Sequence, residues 1–170
     1  MKTNFVIVGC VGLLLAFASS AEAQLIAGSP EDKLYQQITA TDDPDQKMAL
    51  CLDFEKQFSE SDVVVDIYNM LVVIHNSRNE SDKVIEFGEK AIAMDEDNVS
   101  ALMAVARSYA LKRQQLPKAV GYAERAVNAT VKMKDEPPPP QFTDEQWQQY
   151  VSTTEDAARS ILNYAKSVGP

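Results

Sequence analysis

Downstream of residue 23 the chain has one thiol, Cys51, and one imidazole, His75, the groups a thiol or hydrolytic enzyme would use. Cys51 lies in the apolar run Met48-Ala49-Leu50-Cys51-Leu52, where a thiol is expected to be buried and inert. His75 falls on a helical step shared with apolar residues and is expected to pack or to face a groove. No spacing of His, Cys, Asp or Glu suggests a metal cage, and no nucleophile elbow or phosphate loop is present. Asp95-Glu96-Asp97 reads as a solvated acidic corner between helices, without the glycine and ligand order of a calcium loop. The sequence therefore predicts a protein that is not an enzyme and needs no cofactor and no metal. Three Asn-X-Ser/Thr triplets, at Asn79, Asn98 and Asn128, are read as chance, the first two as helix-start residues.

The elements that must position these groups begin after a leader. Lys2 supplies a positive start, Phe5 to Phe17 is nearly all apolar, and Ala21-Glu22-Ala23 offers a small-residue cleavage site before Gln24. Residues 1–23 are thus expected to be a cleavable signal peptide, and the run is too short for a bilayer, which takes about 20 apolar residues. Ile7-Val8-Gly9-Cys10 fits a lipidation box only loosely, since the apolar run continues past Cys10. Export is expected, to the periplasm or beyond the cell. The remaining chain, about 147 residues, is long enough for one domain with a core. It retains Cys51 alone, so no internal disulfide is available and packing must hold the fold. With 16 basic against 25 acidic residues and a net charge of -9, nucleic acid and anionic membrane surfaces are disfavoured as partners.

Capping residues divide the chain into about seven helices. Ser29-Pro30-Glu31-Asp32 and Asp43-Pro44-Asp45 open the first two, Ser61-Asp62, Ser81-Asp82 and Asn98 the next three, and Pro117 fits the first turn of a sixth. Thr143-Asp144-Glu145-Gln146 is a capping box for a seventh. Val63 to Ile74 is rich in β-branched residues, yet Val64, Ile67, Tyr68, Leu71 and His75 recur at helical steps. No Asn-Gly or Asp-Gly hairpin turn follows the leader. The fold class is all-α. Residues 134–142, containing Pro137-Pro138-Pro139-Pro140, form a linker that cannot be helical because successive prolines lack amide donors.

The chain also repeats itself. Glu55-Lys56-Gln57-Phe58, Glu89-Lys90-Ala91-Ile92 and Glu124-Arg125-Ala126-Val127 recur at intervals of about 34 residues, each closing a helix. Tyr68, Leu71, Val72 and His75 are echoed by Leu102, Val105, Ala106 and Tyr109 at the same interval. Small residues at Gly88, Ala91, Ala106, Ala123 and Ala126 mark expected close helix contacts.

On these residues the chain resembles the tetratricopeptide-repeat family of bacterial exported type, with clear units at about 65–98 and 99–133 inside a helical domain spanning 24–133. Leu102, Val105, Ala106, Tyr109, Ala119, Ala123 and Ala126 follow that family's large–small spacing, whereas Glu96 stands where the family has proline and no tryptophan opens either unit. The resemblance implies an antiparallel helix-pair solenoid, with residues 143–170 as a capping helix or a truncated repeat. It also implies an adaptor that binds a partner peptide or helix in a concave groove lined by Asp66, Asn69, Val73, Asn76, Ser100, Met103, Arg107 and Ala110. The alternative is a structural subunit of an envelope assembly, joined through the outer face near Trp147.

Overall fold

Four helices begin where a side chain pairs an amide that a helix start leaves unpaired. The computed structural model describes residues 25–169; the expected leader lies outside them. Within these residues the helices are α1 (Pro30–Ala40), α2 (Pro44–Gln57), α3 (Val64–Ser77), α4 (Ser81–Met94), α5 (Val99–Lys112), α6 (Leu116–Met133) and α7 (Asp144–Ser167), and no strand occurs. Ser29 Oγ accepts from the Asp32 amide at 3.0 Å, Asp43 Oδ1 from the Gln46 amide at 2.8 Å, and Asn98 Oδ1 from the Ala101 amide at 3.0 Å. At α7 the capping box is reciprocal: the Gln146 amide donates to Thr143 Oγ1 at 3.2 Å and the Thr143 amide to Gln146 Oε1 at 3.0 Å. Two expected starts differ. Ser81 is itself the first residue of α4, whose cap Glu80 makes no side-chain capping bond, and Ser61 Oγ accepts from the Val63 amide just ahead of α3.

The architecture is an all-α helical-repeat solenoid. Each helix packs against the next in the chain, and α5 also touches α3 and α7. Its repeat is visible in burial. Val64, Ile67, Tyr68, Leu71, Val72, Ile74 and His75 are buried in α3. The residues 34 positions later, Asn98, Ala101, Leu102, Val105, Ala106, Ser108 and Tyr109, are buried too. Val84, Gly88, Ala91 and Ile92 of α4 correspond in the same way to Ala119, Ala123, Ala126 and Val127 of α6, 35 positions on. Burying a side chain such as Leu71 or Leu102 stabilises the fold by about 1.5–3 kcal/mol, so the repeated stripe is also the main source of cohesion.

The first hairpin keeps a different register. α2 begins 37 residues before α4, and its buried Cys51 and Phe54 stand the same distance ahead of Gly88 and Ala91. Glu55 is therefore one turn nearer its helix end than Glu89, and the Glu-Lys recurrence at 34 residues does not mark equivalent places there. The first copy does close its helix, α2 ending at Gln57 with Phe58 as its cap, whereas α4 runs on to Met94 and α6 to Met133.

Successive pairs are tied by charge along their packed faces. Lys90 Nζ donates to Glu55 at 2.6 Å while lying 5.0 Å over the Phe87 ring. Glu89 accepts from Tyr109 at 3.0 Å, from Tyr122 at 3.2 Å and from Lys118. Lys166 of α7 reaches Glu124 at 3.0 Å. Residues 134–142 are non-helical, as the prolines require, and Lys134 at their start is held by Glu155 of α7, which also accepts from Arg159. Beneath α7 lie Trp147, Val151, Ala158 and Ala165, whereas its outward positions Gln148, Gln149, Ser152, Thr153, Asp156 and Ser160 are polar and exposed. Among the described residues no helix is long and apolar enough to cross a membrane.

Candidate partner-binding cleft

The helical period sets which side chains of α3 and α5 are left outside the core. With positions 67, 68, 71, 72, 74 and 75 turned inward, the remaining face of α3 carries Asn69, Val73 and Asn76 at steps of four and three, a single row on one side of a helix. On α5 the same period leaves Ser100, Met103 and Arg107. The fold brings these two rows together. Asn69, Val73 and Asn76 on one wall and Ser100, Met103 and Arg107 on the other line an open cleft of about 400 Å³, with Val72 and Ala104 at its floor and Ile161 of α7 joining from the side.

The Asn69 side chain is oriented by the repeat itself. Asn98 Oδ1 is committed to the Ala101 amide as the cap of α5, so the Asn98 amide nitrogen is the donor that meets Asn69 Oδ1, at 3.1 Å. The Asn69 NH₂ group is thereby left to point elsewhere. Val73 is 67 % exposed, a large apolar side chain held out of the core at the middle of the row. Arg107 is exposed and makes no ion pair or hydrogen bond among the described residues, while Arg78, Lys90, Lys112, Lys118 and Lys132 each pair with a carboxylate.

Two of the eight expected lining residues stand apart. Ala110 is fully buried, which corrects its placement in the groove: α5 is packed by α3, α4, α6 and α7 together, and a methyl group does not reach past such neighbours. Asp66 is exposed but stands at the α1 side, where its carboxylate accepts from the Tyr35 hydroxyl at 3.2 Å. Ile161 escaped the sequence reading, because the last helix matched no repeat unit. Its only signal was the apolar step from Ala158 to Ile161 and Ala165.

The groups with catalytic chemistry are engaged elsewhere. Cys51 is fully buried, and burial pushes its thiol up to about 11, against a small opposing effect of Lys47. His75 is buried, stacks on Phe87 at 5.4 Å with near-parallel rings, and meets Glu80 at 2.5 Å through Nδ1. A larger hollow of about 630 Å³ opens at the α3–α4 turn beside His75, lined by Arg78, Glu80, Asp82, Lys83 and Lys112. Its charges are already matched, Arg78 with Asp45, Lys112 with Asp82, and Lys83 with Glu86. The acidic corner is likewise spent on structure: Asp97 binds Lys132 at 2.6 Å and the Glu96 carbonyl accepts from Arg125 at 2.7 Å.

Near the start of α7, Phe142, Trp147 and Tyr150 form an aromatic cluster with centroids 5.5–5.6 Å apart. Trp147 is buried and its indole N–H has no partner among the described residues, so this ring serves packing, while Tyr150 beside it is exposed. No family model, curated protein or solved structure matches the chain.

Proposed function

We propose that this chain is a non-catalytic adaptor of tetratricopeptide-repeat type that binds a partner protein through a peptide or helix laid in the α3–α5–α7 cleft. The observation that carries this reading is the convergence of Asn69, Val73, Asn76, Ser100, Met103 and Arg107, from two successive helix pairs, on one open groove. The rows on both walls span two helical turns, about 10 Å, enough for roughly three residues of extended chain. Amide and hydroxyl groups beside Val73, Met103 and Ile161 suit a peptide, which offers backbone hydrogen bonds and side chains alike. In this reading α7 is a capping helix: it completes the groove on one face and presents polar residues on the other, as the end of a solenoid requires. The leader-like sequence of the first 23 residues supports a location in the periplasm or outside the cell.

The convergence of two walls on one cleft supports the groove over an assembly surface near Trp147, where Tyr150 is exposed. The test is affinity capture from envelope extract with the full chain as bait, beside an Asn69→Ala, Arg107→Ala version whose helicity is checked by circular dichroism. A partner held by the first and lost by the second is expected. A partner held equally by both would move the site to another surface and overturn the groove reading.

A further inference from the structure

We infer that the occupant of the cleft is an extended acidic peptide, carrying one Asp or Glu side chain between apolar residues. This rests on the proposal that the cleft is the binding site, and it concerns the chemistry of what binds there. The chain holds 25 Asp and Glu residues, yet among the described residues none lines the cleft, whose one charged group is Arg107. Many cations are paired with acids, as in Arg78 with Asp45 and Lys132 with Asp97; Arg107 is among those with no carboxylate partner among the described residues, and of these it is the one that lines the cleft. Asn69 turns its NH₂ group away from Asn98 and adds a second donor. The walls are thus donor-rich and cationic in a molecule of net charge -9.

Each class of occupant fares differently against these groups. A basic peptide would bring a second cation beside Arg107 with no carboxylate to separate them. A neutral peptide would strip water from the guanidinium and return no charge. A carboxylate meets the fork of Arg107 with two charge-assisted bonds, while Val73, Met103 and Ile161 receive the flanking apolar side chains. Because the two rows run the length of two turns on both walls, the occupant lies along the groove, so the carboxylate is assigned to a side chain. The acidic body limits the number of acids to one: further carboxylates, reaching outside the cleft, meet repulsion that is damped only beyond a Debye length of about 8 Å.

The test is selection of random heptapeptides, displayed internally and in parallel with a free carboxyl end, on the folded full chain. Enrichment of internal segments with one Asp or Glu beside an aliphatic residue is expected. The best of them, synthesised with blocked ends, is expected to lose about tenfold in affinity with Arg107→Gln, the same with its own acid changed to the amide, and little more with both. Arg107→Glu is expected to turn the selection toward Lys and Arg. Neutral or basic winners that still need Asn69 and Asn76 would overturn the acidic occupant and leave groove binding standing. Winners that need a free terminus would reassign the carboxylate to a chain end and overturn the side-chain proposal. Winners indifferent to Arg107, Asn69 and Asn76, or no enrichment, would overturn both readings.

Discussion

A β-carbon built on Gly88 would stand 2.3 Å from Cγ2 of Val105, closer than two carbon atoms approach. The α4–α5 crossing is therefore as tight as a missing side chain allows. Glycine inside a helix is disfavoured by about 1 kcal/mol relative to alanine, so Gly88→Ala would ordinarily stabilise; here the methyl group meets a branched side chain that is itself fully buried. The expected cost is about 1–3 kcal/mol. Val105→Ala opens the space and is expected to cost roughly 1–3 kcal/mol alone by the loss of buried methyl groups, yet the double variant should be more stable than the sum of the two. Denaturant unfolding of all four proteins reads the coupling. Gly121, with nothing within 4 Å of its built Cβ, is the control: Gly121→Ala is expected to gain about 0.5–1 kcal/mol.

Glu89 gathers Tyr109, Tyr122 and Lys118 onto one carboxylate across the α4–α5–α6 junction. Burial by itself would raise its carboxyl, but the bonds from Lys118, Tyr109 and Tyr122 outweigh it and hold the group below its ordinary value of 4.5. The sign follows from the depressed folded value: the contribution is fully present above 4.5 and is lost as pH falls through the folded value. Since a third of the side chain is exposed, its worth is about 1 kcal/mol. Glu89→Gln is expected to lower the urea midpoint at pH 7 and to lower it by less at pH 4, below the ordinary value of 4.5. An equal gap at both pH values would show that the charge is not what holds the junction.

The α5 and α7 starts were legible from the sequence because their caps are local: Asn98 and Thr143 bond amides three residues away, so type and spacing sufficed. The inward stripe of α3 and its echo in α5 were legible for the same reason, since burial there follows a helical period. The helix starts of the first hairpin were legible too, through Ser29 and Asp43, but its register was not. Its Glu55-Lys56 pair mimics Glu89-Lys90 in sequence, while the placement of Cys51 and Phe54 under the array sets a register of its own. Ala110 and Ile161 show the other limit. Whether a methyl group is covered, or an isoleucine reaches a distant groove, depends on how α7 lies against α5, and no local pattern in α7 encodes that.

Cys51 gives a direct check on the inner face of α2. With its thiol pushed up to about 11, roughly one molecule in a thousand carries a thiolate at pH 8, and the group is fully buried besides. In a Cys10→Ser chain, in which Cys51 is the one thiol, modification by a chromogenic disulfide reagent is expected to proceed only at the rate of unfolding and to become complete in denaturant. Rapid labelling of the native protein would place Cys51 at an accessible surface and reopen a thiol chemistry.

Trp147, the single tryptophan, separates what a ring contributes from what its N–H contributes. The indole stacks on Tyr150 at 5.5 Å and tilts against Phe142 at 5.6 Å, but its nitrogen is buried without a hydrogen-bond partner. With no partner among the described residues, such a group subtracts from the stability of the state that buries it. Trp147→Phe keeps an aromatic ring and removes the unpaired donor, so two terms oppose: lost volume destabilises and lost desolvation cost stabilises. A net change below about 1.5 kcal/mol is expected, against about 3–5 kcal/mol for Trp147→Ala, which empties the site under α7. Because both variants abolish tryptophan emission, unfolding is followed by circular dichroism at 222 nm. If phenylalanine proves as costly as alanine, the indole N–H does have a stabilising partner, and the packing account of this end of α7 fails.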